Sequence, residues 1–89
     1  MKHLDLATMR VQVLYFAAFR DAVGTDRETR EIADRSTVSD LWRVLAGQVP
    51  YFGRFPAMPP AAVNREYVAA EAALRDGDEV AFLPPVAGG

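Results

Sequence analysis

The clearest chemistry in this sequence sits at its end. The chain closes Phe82-Leu83-Pro84-Pro85-Val86-Ala87-Gly88-Gly89, so the α-carboxylate is carried by a glycine that follows another glycine. Two adjacent prolines favour an extended segment with a rise of about 3 Å per residue, which carries the terminus about 18 Å beyond the last strand. Gly88 and Gly89 lack Cβ atoms and can pass through a channel too narrow for any side chain. Terminal glycines are costly to order and add nothing to a core, and many domain ends simply fray. The proline pair two residues before them points instead to a stalk that presents the Gly89 carboxylate to another protein.

Nothing else in the chain forms a catalytic constellation. There is no Gly-rich phosphate loop, no pair of histidines or cysteines at metal-ligand spacing, and no serine with a histidine partner. Zero cysteine rules out a disulfide framework, a thiolate zinc site and a cysteine nucleophile. Asp76, Asp78 and Glu79 form the densest acidic cluster. They lack the further ligands of a calcium loop and read as a solvated turn, so no metal is expected. Ser36 and Ser39 read as helix-start residues. His3 reads as a solvated side chain.

The elements that would position the tail can be read from hydropathy. With 89 residues, 51% of them hydrophobic, the chain fits one small domain. Fifteen of those residues are alanine, so the larger apolar side chains are few. Val11, Val13 and Tyr15 alternate with their neighbours and predict a strand over Arg10–Ala17. A helical turn over Ala17–Val23 ends at Gly24, and Asp26–Asp34 reads as a polar edge strand. Ser36 or Thr37 caps the main helix, with Asp40 completing a short capping box. Val38, Leu41, Trp42, Leu45 and Val49 then share one face, and Pro50 stops the helix. The proline- and aromatic-rich run Tyr51–Pro60 is expected to be irregular, with Phe52 and Phe55 packed on the body. Strands are expected at Ala61–Val63, Tyr67–Ala70 and Glu79–Leu83, with turns at Asn64–Glu66 and Asp76-Gly77-Asp78. This order predicts an α+β, β-grasp (ubiquitin-like) roll, one main helix on a mixed four- to five-stranded sheet with parallel first and last strands. The domain reading is an extension over residues 1–8, a body over 9–83 and a tail over 84–89. The near-neutral charge with scattered arginines argues against nucleic acid, and no apolar run approaches the length of a membrane span.

The motifs resemble one known family. Val13-Leu14-Tyr15-Phe16-Ala17 with Arg20 and Gly24-Thr25, then Ala62-Val63-Asn64, Leu74-x-Asp76-Gly77-Asp78-Glu79-Val80 and the ending Phe82-x-Pro84-Pro85-Val86-x-Gly88-Gly89, are similar to the MoaD family, the small subunits of molybdopterin synthase. The likeness runs from Met9 to Gly89. The first eight residues and Tyr51–Pro60 depart from it.

That resemblance implies a sulfur carrier. A carboxylate is a poor acyl donor, so an E1-like adenylyltransferase first adenylates Gly89 with ATP, and sulfur then displaces AMP to leave a thiocarboxylate. No cofactor is expected to be bound stably. The threaded tail, Pro84, Pro85, Val86, Ala87 and Gly88, delivers that sulfur to a cyclic pyranopterin monophosphate in the large subunit. General acid–base work belongs to that large subunit, in a cytoplasmic heterotetramer of two large and two small chains. Phe16, Tyr67 and Leu83 are expected to form the partner-facing patch, with Arg20 pairing an acid on the partner. The alternatives are a carrier for thiamine or tRNA thiolation, a protein modifier, and a non-covalent β-grasp interaction module.

Overall fold

The computed structural model describes residues 7–85. The readings placed on residues 1–6 and on Val86, Ala87, Gly88 and Gly89 lie outside the described residues. Within them the chain runs β1 (Thr8–Tyr15), α1 (Ala17–Val23), β2 (Arg27–Ala33), α2 (Val38–Gln48), α3 (Pro50–Gly53), β3 (Ala61–Val63), β4 (Glu66–Val68) and β5 (Glu79–Phe82).

The alternation in β1 buries Met9, Val11, Val13 and Tyr15 on one face and places β1 inside a five-stranded sheet ordered β2-β1-β5-β3-β4. Strand β1 runs parallel to β5 (Val13 opposite Val80) and antiparallel to β2 (Val11 opposite Arg30), while β3 runs antiparallel to both β5 and β4. A helix crossing a mixed sheet whose first and last strands are parallel neighbours is the β-grasp roll the sequence predicts. The charged β2 forms one edge, as its composition requires.

Helix α2 starts where its cap dictates. The Asp40 amide donates to Thr37 Oγ1 at 3.1 Å, and the Thr37 amide donates to Asp40 Oδ2 at 2.9 Å, closing a reciprocal capping box. Val38, Leu41, Trp42 and Leu45 are buried against the sheet. Aromatic rings fill the space beneath: Phe52 stacks on Trp42 at 5.0 Å, Phe19 meets Phe52 edge-on at 4.8 Å, and Phe82 lies 5.0 Å from Trp42. Truncating such a ring to alanine costs about 3–5 kcal/mol, a large share of the ~5–15 kcal/mol that holds a domain together.

Tyr15 is buried in this cluster and donates its hydroxyl to Glu28 on β2 at 2.5 Å. Burial first, then the Glu28 acceptor and its charge, push the phenol well above its ordinary value. Glu28 is also paired with Arg30 at 3.6 Å, and Arg30 donates to Gln48 at the end of α2. The polar residues on the core side of β2 thus tie the edge strand to the helix.

The structure corrects four expectations. Strand β1 begins at Thr8 and ends at Tyr15: Thr8 pairs with Ala33 and donates its hydroxyl to Glu31, so it belongs to the sheet and not to the extension. At the other end Ala17 leaves extended geometry, with φ 49°. Pro50–Gly53 is a turn of helix, because proline at the first helical position lacks an N–H that would be unpaired there anyway. Asn64 and Arg65 alone make the β3–β4 turn, both left-handed (φ 52° and 74°), so Glu66 already pairs with Val63 and β4 ends at Val68. Strand β5 ends at Phe82, although the Leu83 amide still donates to the Pro60 carbonyl at 2.9 Å.

Candidate functional site

Side chains on the face of the sheet away from α2 follow from the same alternation. Leu14 lies opposite Ala81, Ala81 opposite Ala62, and Ala62 opposite Tyr67, a row across four strands. Its two central members are alanines, so the surface dips between Leu14 and Tyr67. One paired row further on, Tyr15, Phe82, Ala61 and Val68 face the core, and beyond them Phe16, Leu83 and Pro60 continue β1, β5 and β3 toward the root of the tail.

These residues enclose an apolar groove. Phe16, Ala17, Pro60, Tyr67, Leu83, Pro84 and Pro85 line an open volume of about 510 Å³. None of the seven is charged. Phe16 is 46% and Tyr67 75% exposed, which is unusual for rings of this size in a domain with so compact an aromatic core. Leu83 and Pro84 are half-buried and Pro85 is exposed. Since neither proline has an amide proton, Leu83 carries the last N–H before the tail, and the Pro60 carbonyl accepts it.

Of the four partner-facing residues predicted from the sequence, the groove gathers Phe16, Tyr67 and Leu83. Arg20 lies next door. It lines a smaller notch of about 190 Å³ with Leu14, Tyr15, Phe16, Asp26 and Arg27, so Phe16 is the ridge between an apolar groove and a polar notch. Arg27 makes a loose pair with Glu79 at 3.8 Å. Sequence reading missed Ala17 and Pro60. The strand register would have found Pro60, since it precedes Ala61, the partner of Phe82; Ala17 enters through a backbone angle that alternation does not report.

The acidic cluster is used structurally. Asp76 Oδ1 accepts from the Arg10 amide at 2.8 Å, and the Gly77 amide donates to the Arg10 carbonyl at 2.7 Å. Asp78 accepts from the Arg75 amide at 2.8 Å and from the Asn64 side chain at 3.0 Å. The Asn64 side-chain oxygen in turn accepts from the Glu79 amide at 3.0 Å. The Ala-Val-Asn and Asp-Gly-Asp motifs therefore lock the β3–β4 turn to the start of β5, at the end of that strand away from the tail.

Residues 13–89 match the ThiS family. The chain belongs to that family. Among its relatives are the molybdopterin synthase sulfur carrier subunits of Escherichia coli (43% identical over 81 residues, 89% of this chain and 99% of the relative) and Chlamydomonas reinhardtii (37% over 83 residues, 91% and 100%). Small archaeal modifier protein 3 of Haloferax volcanii is 35% identical over 92 residues, covering 91% of this chain and all of the relative. The solution structure of the HVO 2177 protein of Haloferax volcanii superposes with a TM-score of 0.84 at 30% identity, over 100% of this chain and 94% of that one. The β-grasp reading and the likeness to molybdopterin synthase small subunits are thereby borne out in this member of the ThiS family.

Proposed function

We propose that this ThiS-family chain is the sulfur carrier subunit of molybdopterin synthase. One observation of the geometry supports the reading above others: the exposed rings Phe16 and Tyr67 share a single groove with Leu83, Pro84 and Pro85, so a partner seated there is seated at the root of the C-terminal tail. Relatives at 37–43% identity over nearly their whole length carry the same name.

In this reading the Gly89 carboxylate is activated by an E1-like adenylyltransferase. A carboxylate oxygen attacks the α-phosphorus of ATP, pyrophosphate leaves, and the nucleotide is held as an acyl-adenylate. A sulfur nucleophile then attacks the acyl carbon, and AMP departs with the electrons of the broken C–O bond, leaving the thiocarboxylate. The groove docks on the large subunit, with Arg20 pairing an acid there. The tail, Pro84 through Gly88, threads into that subunit's active site, where the sulfur passes to the pyranopterin precursor. Two carriers serve two large subunits, in the cytoplasm. This chain supplies the sulfur and its delivery; the large subunit supplies the acid–base groups.

Adding one residue after Gly89 tests the reading. The extended variant should dock on the large subunit as the parent does and yield no molybdopterin, since its terminal carboxylate is displaced from the position the partners act on. Undiminished molybdopterin formation would refute the carrier role. A second reading, a modifier that joins its acyl terminus to protein amines, is favoured by the similarity to small archaeal modifier protein 3. It predicts covalent adducts with other proteins in place of molybdopterin.

A further inference from the structure

Four non-glycine residues among those described have left-handed backbone: Ala17 (φ 49°), Arg35 (φ 67°), Asn64 (φ 52°) and Arg65 (φ 74°). Arg35, Asn64 and Arg65 sit in turns, where such angles are ordinary. Ala17 instead opens helix α1, and it lines the apolar groove. An L-residue with a side chain adopts this angle at a cost, and the angle persists only where the surroundings impose it.

Here the surroundings are two anchored aromatic rings. Tyr15 is 1% exposed and held by Glu28, and Phe19 is fully buried among Trp42, Tyr51, Phe52 and Phe55. Four positions separate them, and within that span the chain must leave the strand and enter a helix. Phe16 remains extended (φ −120°, ψ 150°), and its carbonyl accepts from the amides of Phe19 at 2.9 Å and Arg20 at 3.3 Å. The change of direction therefore falls on Ala17. Strand alternation puts Phe16 on the open face, and the turn at Ala17 sends the following residues toward the core, leaving Phe16 46% exposed as a wall of the groove.

We infer that Ala17 is a positioning residue for partner docking: its left-handed turn carries the chain back to the core directly after Phe16 and so fixes the Phe16 ring in the groove wall. The inference rests on the proposed docking of this groove on the large synthase subunit. Glycine adopts the angle freely, whereas a β-branched residue resists it. Alanine is tolerated because the strain of one left-handed alanine is comparable to the extra chain entropy that a glycine loses on folding.

A double-mutant cycle with Ala17→Val and Phe16→Ala, read as the dissociation constant for the purified large subunit well below the melting temperature, tests this. Ala17→Val should weaken binding about tenfold in the parent and add nothing in the Phe16→Ala background, because the two changes remove the same contact. Ala17→Gly should bind within about threefold of the parent, since it keeps the turn. Equal losses from Ala17→Val in both backgrounds, or unchanged binding by Ala17→Val, would overturn the inference. Should the valine variant not fold, a tenfold loss on Ala17→Gly would overturn it as well, by assigning the effect to the methyl group. A parent chain that does not bind the large subunit at all refutes the carrier reading itself, and this inference with it.

Discussion

Asn64 shows how a motif residue can be indispensable without touching chemistry. Its side chain bridges Asp78 and the Glu79 amide, and its backbone is left-handed, a conformation asparagine tolerates better than most residues. Asn64→Ala removes both hydrogen bonds and adds backbone strain, and should lower stability by about 2 kcal/mol in a denaturant titration. Asn64→Gly restores the backbone half of that loss and should fall between the two. Neither should change affinity for the large subunit, because the lock lies at the far end of β5 from the groove. From sequence alone the Ala-Val-Asn and Asp-Gly-Asp motifs carried the family resemblance. That they bind one another was not readable, since it depends on two turns whose bonded residues are 14 positions apart being brought together by β3 and β5.

At the scale of elements, the boundaries that local chemistry sets were legible and those that tertiary context sets were not. Thr37 and Asp40 announce the start of α2, and the structure closes both of their hydrogen bonds. Gly24 announces the end of α1 and takes φ 94°. Pro50 stops α2 as read, and it also opens α3 within a run expected to be irregular, because packing of Phe52 beneath Trp42 rewards one more turn of helix. The limits of β4 shifted because a two-residue turn and a three-residue turn share the same residue types. The cap also carries a pH signature. The Thr37 amide, followed by its hydroxyl, holds the Asp40 carboxyl below its ordinary value of 3.8. A depressed folded-state value means the charged cap stabilises above that pH and its contribution is lost as pH falls through the lower folded value. The difference in melting temperature between the parent and Asp40→Asn should accordingly be largest near neutrality. It should shrink as pH falls below the ordinary carboxylate range.

At the scale of the molecule, the two faces of the sheet have different fates, the second being polar over Arg10, Gln12, Arg27, Thr29 and Glu79 and apolar only toward the tail. One is covered by α2 and the aromatic cluster; the other ends in a groove whose exposed rings have no cover within residues 7–85. The position of Phe16, Tyr67 and Leu83 on that second face was legible, because a strand period of two places them there. The strain at Ala17 and the anchoring of the tail root by Pro60 were not, because both arise from how distant segments meet. Phe16→Arg and Leu83→Asp place charges in the groove at side chains outside the buried core. Each should abolish copurification with the large subunit while shifting the melting temperature by no more than about 4–8 °C, which corresponds to about 1 kcal/mol in a domain of this size. A collapse of melting temperature would mean that the groove is part of the core.

The carrier role turns on the atom that leaves the protein. Intact-mass analysis after incubation with the E1-like adenylyltransferase, ATP and a sulfur source reads it directly. The expected product has one oxygen exchanged for sulfur, located by fragmentation at Gly89 and dependent on ATP. An unchanged mass, with the adenylyltransferase shown to be active on another carrier, or sulfur found anywhere else in the chain, would contradict it.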